Sequence, residues 1–97
     1  MRPGYEFKQL LSTNLSDLKT RYPIANMALF GSVMREDFDI DRSDIDILVE
    51  FNGEIGWEFF DLENELKLLL GRKVDLVSKN ALKPHYWEFI KKDVLNV

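Results

Sequence analysis

Apolar residues recur along this chain at two different spacings, which predict its helices and its strands. From Tyr5 to Tyr22, large apolar residues return every three or four positions, which is the period of a one-faced helix, and Pro23 ends it. The same period runs from Trp57 to Leu70, and Gly71 is the predicted C-terminal cap. A proline suited to a first helical turn opens a third predicted helix, from Pro84 to about Lys92.

Shorter apolar runs between these helices predict β-strands. Ile24 to Phe30 is short and largely apolar, Ile45 to Phe51 is apolar except for Asp46 and Glu50, and Lys73 to Val77 alternates in polarity. The tail from Asp93 to Val97 is a candidate for a short edge strand. Helices and strands that alternate on this scale predict an α/β (α+β) fold with a small mixed sheet of three to four strands flanked by helices. Residues 1–97 are expected to form a single domain.

The composition narrows the classes of protein that the chain can belong to. A hydrophobic fraction of 45% in 97 residues is ordinary for a packed domain. The net charge of −4 disfavours a long grip on nucleic-acid backbone, so direct nucleic-acid binding is not expected. The chain has no cysteine, its start lacks the apolar core of a signal peptide, and no apolar run approaches a membrane span. These features predict a cytoplasmic protein.

Two acidic residues interrupt the second predicted strand. Asp44 and Asp46 are two positions apart, so in a strand they project from the same face, while Ile45 and Ile47 point the other way into a core. Two carboxylates held that close repel each other, and a divalent cation is the usual relief. The spacing therefore predicts a metal-binding pair.

A third acid, Asp75, lies in the next predicted strand. If the two strands are neighbours, Asp44, Asp46 and Asp75 can meet at one end of the sheet and offer Mg²⁺ the hard oxygen ligands that it prefers. Two such ions can hold the attacking and the leaving oxygen in phosphoryl chemistry. Asp75 is also placed to accept the proton of an incoming hydroxyl. We interpret the three acids as both metal ligands and catalytic residues.

A small turn, Gly31-Ser32, ends the first predicted strand. A strand-to-helix turn presents backbone N–H groups and a hydroxyl to a phosphate, and the dipole of the following helix adds attraction. Glycine lets the backbone approach closely. Arg35, one turn further on, can add positive charge near a triphosphate. These three residues are the predicted nucleotide-binding set.

A calcium-binding loop is the main alternative for the acidic segment. Asp37, Asp39 and Asp41 fit the first three ligand positions of an EF-hand. The pattern then fails, because Arg42 replaces the required glycine and Leu48 stands where a bidentate glutamate is needed. We therefore interpret Asp37, Asp39 and Asp41 as solvated surface residues.

In this order, LFGS, SDIDILVEF, GRKVDLV and ALKP resemble the minimal nucleotidyltransferase family of the polymerase beta-like superfamily. The resemblance spans nearly the whole chain. It implies a compact α/β domain in which Gly31 and Ser32 contact nucleotide phosphates, and Asp44, Asp46 and Asp75 hold Mg²⁺. The implied reaction transfers a nucleoside monophosphate from a triphosphate, and pyrophosphate leaves.

The resemblance also implies a partner. Proteins like this are commonly antitoxins encoded beside a HEPN-domain ribonuclease toxin, and the better-studied ones use ATP to transfer AMP to a tyrosine of the toxin. Such pairs form hetero-oligomers. A chain without a separate substrate-binding domain fits a partner protein as the substrate.

The sequence departs from the family pattern in two places, which leaves other functions open. Positions 33 to 43, between the turn and the first acid, are one residue more than usual, and Met34-Arg35-Glu36 replaces the usual Ala-Arg-Gly. A non-catalytic antitoxin that neutralises its partner by binding is therefore a second hypothesis. Transfer of a nucleotide to a small molecule such as an aminoglycoside is a third.

Three further groups of residues have simpler interpretations. His85 is predicted to be a partly exposed structural residue, and Trp57, Phe59 and Phe60 to be core and rim, with one exposed ring available to a partner. The third group is a set of lysines that is predicted to form a solvated basic face: Lys79, Lys83, Lys91 and Lys92. Within it, Lys79 or Lys83 is a weaker candidate for a phosphate or partner contact.

Overall fold

The computed structural model describes residues 3–35 and 44–97. Within these ranges it has three α-helices and four β-strands. In chain order they are α1 (Pro3–Arg21), β1 (Ile24–Phe30), β2 (Ile45–Phe51), α2 (Glu58–Leu70), β3 (Val74–Ser78), α3 (Pro84–Ile90) and β4 (Leu95–Asn96). Three short 3₁₀ turns lie at Gly31–Met34, Lys79–Ala81 and Lys91–Asp93. None of the helices in the described ranges is long and apolar enough to cross a membrane.

The strands form one mixed sheet in the order β3-β2-β1-β4. β2 runs antiparallel to β1 and parallel to β3, and β4 runs antiparallel to β1. The predicted α/β class with a small mixed sheet is therefore confirmed. The tail also forms the short edge strand that the sequence predicted, since Leu95 pairs with Leu29.

Several predicted boundaries shift by a few residues. The first helix ends at Arg21 rather than Tyr22, and Tyr22 donates its N–H to the Leu18 carbonyl as the last turn closes. The third helix ends at Ile90, because a 3₁₀ turn redirects the chain toward its pairing with β1. Gly71 caps α2 as predicted: it takes the left-handed conformation at φ 65°, and its N–H donates to the Lys67 carbonyl at 2.9 Å.

The core lies on one face of the sheet, beneath α1 and α2. It combines the apolar stripes of both helices with alternate residues of the central strands; its fully buried members include Leu11, Leu29, Ile45, Ile47, Val49, Leu62 and Leu66. Each such side chain contributes about 1.5–3 kcal/mol to folding. Phe59 packs against this core while Trp57 and Phe60 are exposed, which confirms the predicted division into core and rim. The opposite face, which carries Asp46, Leu48 and Glu50, is called the outer face below.

An asparagine side chain extends the pairing of β2 beyond its own strand neighbours. The Asn80 Oδ1 accepts a hydrogen bond from the Phe51 N–H at 2.9 Å, and the Asn80 Nδ2 donates to the Phe51 carbonyl at 3.2 Å. The side-chain amide thus replaces a neighbouring backbone. It fixes the end of β2 to the turn that leads into α3.

We expect Asn80→Ala to lower the free energy of unfolding by about 1–2 kcal/mol, because two hydrogen bonds are lost and two backbone groups of Phe51 lose their partner. Urea denaturation followed by circular dichroism measures this change. Asn64→Ala, at an exposed position of α2, is the matched control and should be nearly neutral. Equal effects of the two substitutions would contradict the role given to Asn80.

Candidate active site

The parallel pairing of β2 and β3 brings two acids side by side. Asp46 pairs directly with Asp75, and neighbouring strands lie about 4.8 Å apart. The residues on either side of each acid, Ile45 and Ile47 on β2 and their counterparts on β3, are buried in the core. Both carboxylates therefore project from the outer face at the same end of the sheet.

Asp44 lies at the same end, one residue before β2 begins, and its side chain is exposed. The strand pairing continues to this point, because the Ile45 N–H donates to the Lys73 carbonyl at 2.9 Å. The backbone of Lys73 thus lies beside that of Asp44 at this corner of the sheet. The structure places the three predicted acids at one end of the sheet, two of them as direct neighbours.

The Gly31-Ser32 turn packs directly against Asp46. Phe30, the last residue of β1, pairs with Asp46, and Gly31 follows with φ +74°. A Cβ built on Gly31 would lie 3.2 Å from the Asp46 Cγ and would collide with its Oδ2. The backbone N–H of Ser32 donates a hydrogen bond to the Asp46 carboxylate. Glycine is needed here for its backbone conformation and for the space it leaves.

One part of the predicted turn is wrong. The sequence predicted a helix after Gly31-Ser32 whose dipole would attract phosphate, but in the described residues up to Arg35 the structure has a four-residue 3₁₀ turn, Gly31–Met34, followed by extended backbone at Arg35. Such a turn is too short to sum its peptide dipoles into a helix macrodipole. The Ser32 N–H is also directed at Asp46 rather than at an open anion site. One contribution of this segment is therefore to hold the Asp46 carboxylate.

Arg35 follows the turn, and its backbone N–H donates to the Ser32 carbonyl at 3.0 Å. Its side chain is exposed. Residues 36–43 lie outside the described part of the chain, and the interpretations of Glu36, Asp37, Asp39 and Asp41 fall on them. The structure thus places the backbone of Arg35 at the end of the turn, and it does not describe the segment between Arg35 and Asp44.

The electrostatics of Asp46 reflect this crowding. Partial burial raises the pKa of the Asp46 carboxyl above its ordinary value of 3.8, and repulsion from Asp75 and then Asp44 raises it further. The hydrogen bond from the Ser32 N–H opposes the rise. The ionised carboxylate is therefore less stable in the folded protein than in water.

This raised pKa predicts how stability depends on pH. Because the folded protein holds the Asp46 proton more tightly than the unfolded chain does, the free energy of unfolding falls as the pH rises from the ordinary value to the raised one. With EDTA at pH 7, Asp46→Asn should raise the melting temperature by a few degrees. The gain should vanish at a pH below 3.8, where both forms are neutral.

Thermal unfolding followed by circular dichroism compares the melting temperatures of wild type and Asp46→Asn at pH 7 and at a pH below 3.8. Asp93→Asn, at an exposed position in the 3₁₀ turn before β4, is the control and should leave the melting temperature unchanged at either pH. A lower melting temperature for Asp46→Asn at pH 7 would show that hydrogen bonding outweighs the repulsion.

The donor chemistry of this corner fits Mg²⁺. Carboxylate oxygens are its preferred protein ligands, and the repulsion that raises the Asp46 pKa is what a bound cation would relieve. In residues 3–35 and 44–97, no group of three or more His, Asp or Glu side chains already has an arrangement that could hold a metal ion. The exposed Asp44 and Asp75 side chains can change rotamer at little cost, whereas Asp46 is held in place.

The sequence interpretation missed a second polar group on the outer face. A cavity of about 100 Å³ lies between α3 and the sheet, and Glu50, Lys79 and Trp87 are among its lining residues. Only Lys79 had a sequence signal, as a weaker candidate for a phosphate or partner contact. Its neighbours could not be identified, because the path of α3 across the sheet brings them together from distant parts of the chain.

Comparison with known proteins finds a family match and close relatives. A model of the nucleotidyltransferase domain family matches residues 11–96. A proposed protein adenylyltransferase of Methanocaldococcus jannaschii is 43% identical over 99 residues, and the alignment covers all of this chain and all of that protein. The protein adenylyltransferase MntA of Thermococcus cleftensis is 36% identical, over 95% of this chain and 93% of its own length.

Solved structures share the fold. A proposed minimal nucleotidyltransferase, 30% identical, superposes with a TM-score of 0.69 over 94% of this chain and 95% of its own. The complex of a tri-AMPylated Shewanella oneidensis HEPN toxin with MNT antitoxin contains a chain that superposes with a TM-score of 0.68. That match is 21% identical and covers 93% of this chain and 70% of the other, so it shows a common fold.

Proposed function

The chain belongs to the nucleotidyltransferase domain family, and from this premise we propose that it is a Mg²⁺-dependent protein adenylyltransferase. It transfers AMP from ATP to a hydroxyl of a partner protein, a tyrosine of a cognate HEPN toxin, and so acts as an antitoxin. The observation that carries the proposal is the direct pairing of Asp46 with Asp75, with Asp44 at the same end of the sheet and the Gly31 turn packed against Asp46.

The metal site consists of Asp44, Asp46 and Asp75. Two Mg²⁺ ions bound there would supply positive charge that neutralises the triphosphate and the departing pyrophosphate. The chain itself supplies the geometry: Gly31 allows the turn to approach, and the Ser32 N–H orients the Asp46 carboxylate. Gly31, Ser32 and Arg35 form the side of the site next to β1, where we place the phosphates.

The acceptor side lies at Asp75, because β3 is the edge strand on the far side of β2 from the Gly31 turn. The acceptor oxygen attacks the α-phosphorus of ATP, a new P–O bond forms, and the bond to pyrophosphate breaks. The hydroxyl proton passes to the exposed Asp75 carboxylate, which can release it to water. An edge strand with an exposed acid suits a large acceptor such as a protein.

The identity of the acceptor is supported by the relatives. The Thermococcus cleftensis relative is named a protein adenylyltransferase, and a structural neighbour is an MNT antitoxin bound to an AMPylated HEPN toxin. Since the reaction consumes ATP, we place the protein in the cytoplasm. The hetero-oligomeric complex with the toxin is part of the same proposal.

Label transfer tests the activity directly. The protein is incubated with Mg²⁺, the purified product of the adjacent gene, and ATP labelled either on the α-phosphate or on the γ-phosphate. We expect label on the partner only from α-labelled ATP, and a mass increase of AMP on a tyrosine. Transfer from γ-labelled ATP would indicate a kinase, and label on an aminoglycoside but not on the protein would favour the small-molecule hypothesis.

A further inference from the structure

The cavity between α3 and the sheet lies on the same outer face as the three acids. Its floor is apolar and includes Ala28 and Leu48, which are both 4% exposed, and Val94 closes one side. Leu48 is the next residue after Asp46 on this face of β2. The cavity and the acids are therefore parts of one continuous surface.

The polar lining of the cavity is organised around a carboxylate and an indole ring. The Asn26 Nδ2 donates to the Glu50 Oε1 at 2.8 Å, which fixes the orientation of the carboxylate. Trp87, half-buried on α3, forms the opposite aromatic wall. A carboxylate facing an aromatic ring above an apolar floor is the arrangement that binds organic cations.

A cation of the chain itself already lies in this position. The Lys79 Nζ is 4.3 Å from the centroid of the Trp87 ring and 3.8 Å from the Glu50 Oε2. The second distance is too long for a hydrogen bond, so Lys79 is held by charge and by the ring rather than by a directional contact. Its side chain is 35% exposed and flexible, so it can move aside for a better-fitting group.

We propose that this cavity binds a guanidinium or ammonium side chain of the protein substrate, and that Lys79 occupies the position when the substrate is absent. The proposal rests on the proposed function for the identity of that substrate. A net charge of −4 favours a basic partner. A planar guanidinium can donate two hydrogen bonds to Glu50 while it stacks on Trp87, which a single ammonium cannot do.

The position of the cavity fits a docking contact rather than the reaction itself. Glu50 follows Asp46 by four residues on β2, which is about 13 Å along the strand. A group in the cavity is too far from the acids to react there. An acceptor segment that crosses the outer face can, however, place its hydroxyl at Asp75 and a basic side chain at Glu50.

Steady-state label transfer to the partner tests which group occupies the cavity, because each occupant predicts a different change in the KM for the partner or for ATP. Glu50→Gln should raise the KM for the partner about tenfold and leave the KM for ATP unchanged. Lys79→Met should lower the KM for the partner, because the competing cation is gone. Lys92→Met, at an exposed lysine in the 3₁₀ turn before β4, is the control and should change neither constant.

Other outcomes would overturn the proposal. A higher KM for ATP in Glu50→Gln would indicate that the nucleotide base occupies the cavity. A higher KM for the partner in Lys79→Met would show that Lys79 itself contacts an acidic partner. No change in either variant would leave the cavity without a role in binding.

A binding measurement that needs no AMP transfer keeps this proposal separate from the proposed activity. The chain has two tryptophans, so Trp57→Phe, at an 83% exposed position, leaves Trp87 as the fluorophore. Titration with N-ethylguanidinium should change the Trp87 fluorescence to a saturating level. The dissociation constant should be lower when Lys79→Met is added and about tenfold higher when Glu50→Gln is added. A linear, non-saturating response in all three proteins would refute the cation site even if AMP transfer is active.

Discussion

Replacing Asp46 with asparagine should slow AMP transfer by about 10³-fold or more while the protein stays folded. Without this carboxylate the site would hold its metal ions less well, and the transition state would lose several kcal/mol of charge stabilisation. Each 1.36 kcal/mol added to the activation free energy lowers the rate tenfold. Asp46 is the acid with the most defined position, held by the Ser32 N–H and opposed to Asp75. Its loss therefore removes the centre of the site rather than one exposed group.

The expected rise in melting temperature makes this result easy to interpret. A variant that is more stable and yet inactive has lost chemistry rather than structure, and Asp93→Asn controls for the removal of a negative charge elsewhere. Equal rates for wild type and Asp46→Asn would refute the enzymatic proposal. If the inactive variant still protected cells from the partner, binding alone would account for neutralisation, as the non-catalytic hypothesis holds.

The parts of this fold that are set by local patterns could be predicted from the sequence. The bounds of β1 and β2 agree with the prediction, since each is an apolar run between clear turn signals. Asp46 could be placed on the outer face because alternation along a strand leaves it no other side while Ile45 and Ile47 are buried. The Gly71 cap follows from the same local reasoning.

Features that depend on strand register or on the path of α3 could not be predicted in this way. The sequence allowed Asp46 and Asp75 to meet, but their direct pairing depends on the parallel register of β2 and β3. At Gly31–Met34 the structure has a 3₁₀ turn where the sequence predicted the first turn of a helix, and four residues carry too little periodicity to tell the two apart. The cavity at Glu50 was not foreseen, since Trp87 is 37 positions away in sequence (87 minus 50).

Replacing Gly31 with alanine should cost both stability and activity, and for separable reasons. The left-handed backbone at φ +74° penalises any Cβ by about 1–2 kcal/mol. The same Cβ would collide with the Asp46 Oδ2, so the carboxylate must move and weaken its hydrogen bond from Ser32. Displacement of a catalytic group by about 1 Å costs about 10²-fold in rate.

Gly71→Ala separates these two costs. Gly71 has nearly the same backbone conformation, at φ 65°, but a Cβ there would have no neighbour within 4 Å. It should therefore show a similar loss in the free energy of unfolding, measured by urea denaturation, and keep its rate of label transfer. If both variants lost activity equally, backbone strain alone would explain the effect. Loss of activity in Gly31→Ala alone would identify the contact with Asp46 as the reason for glycine at this turn.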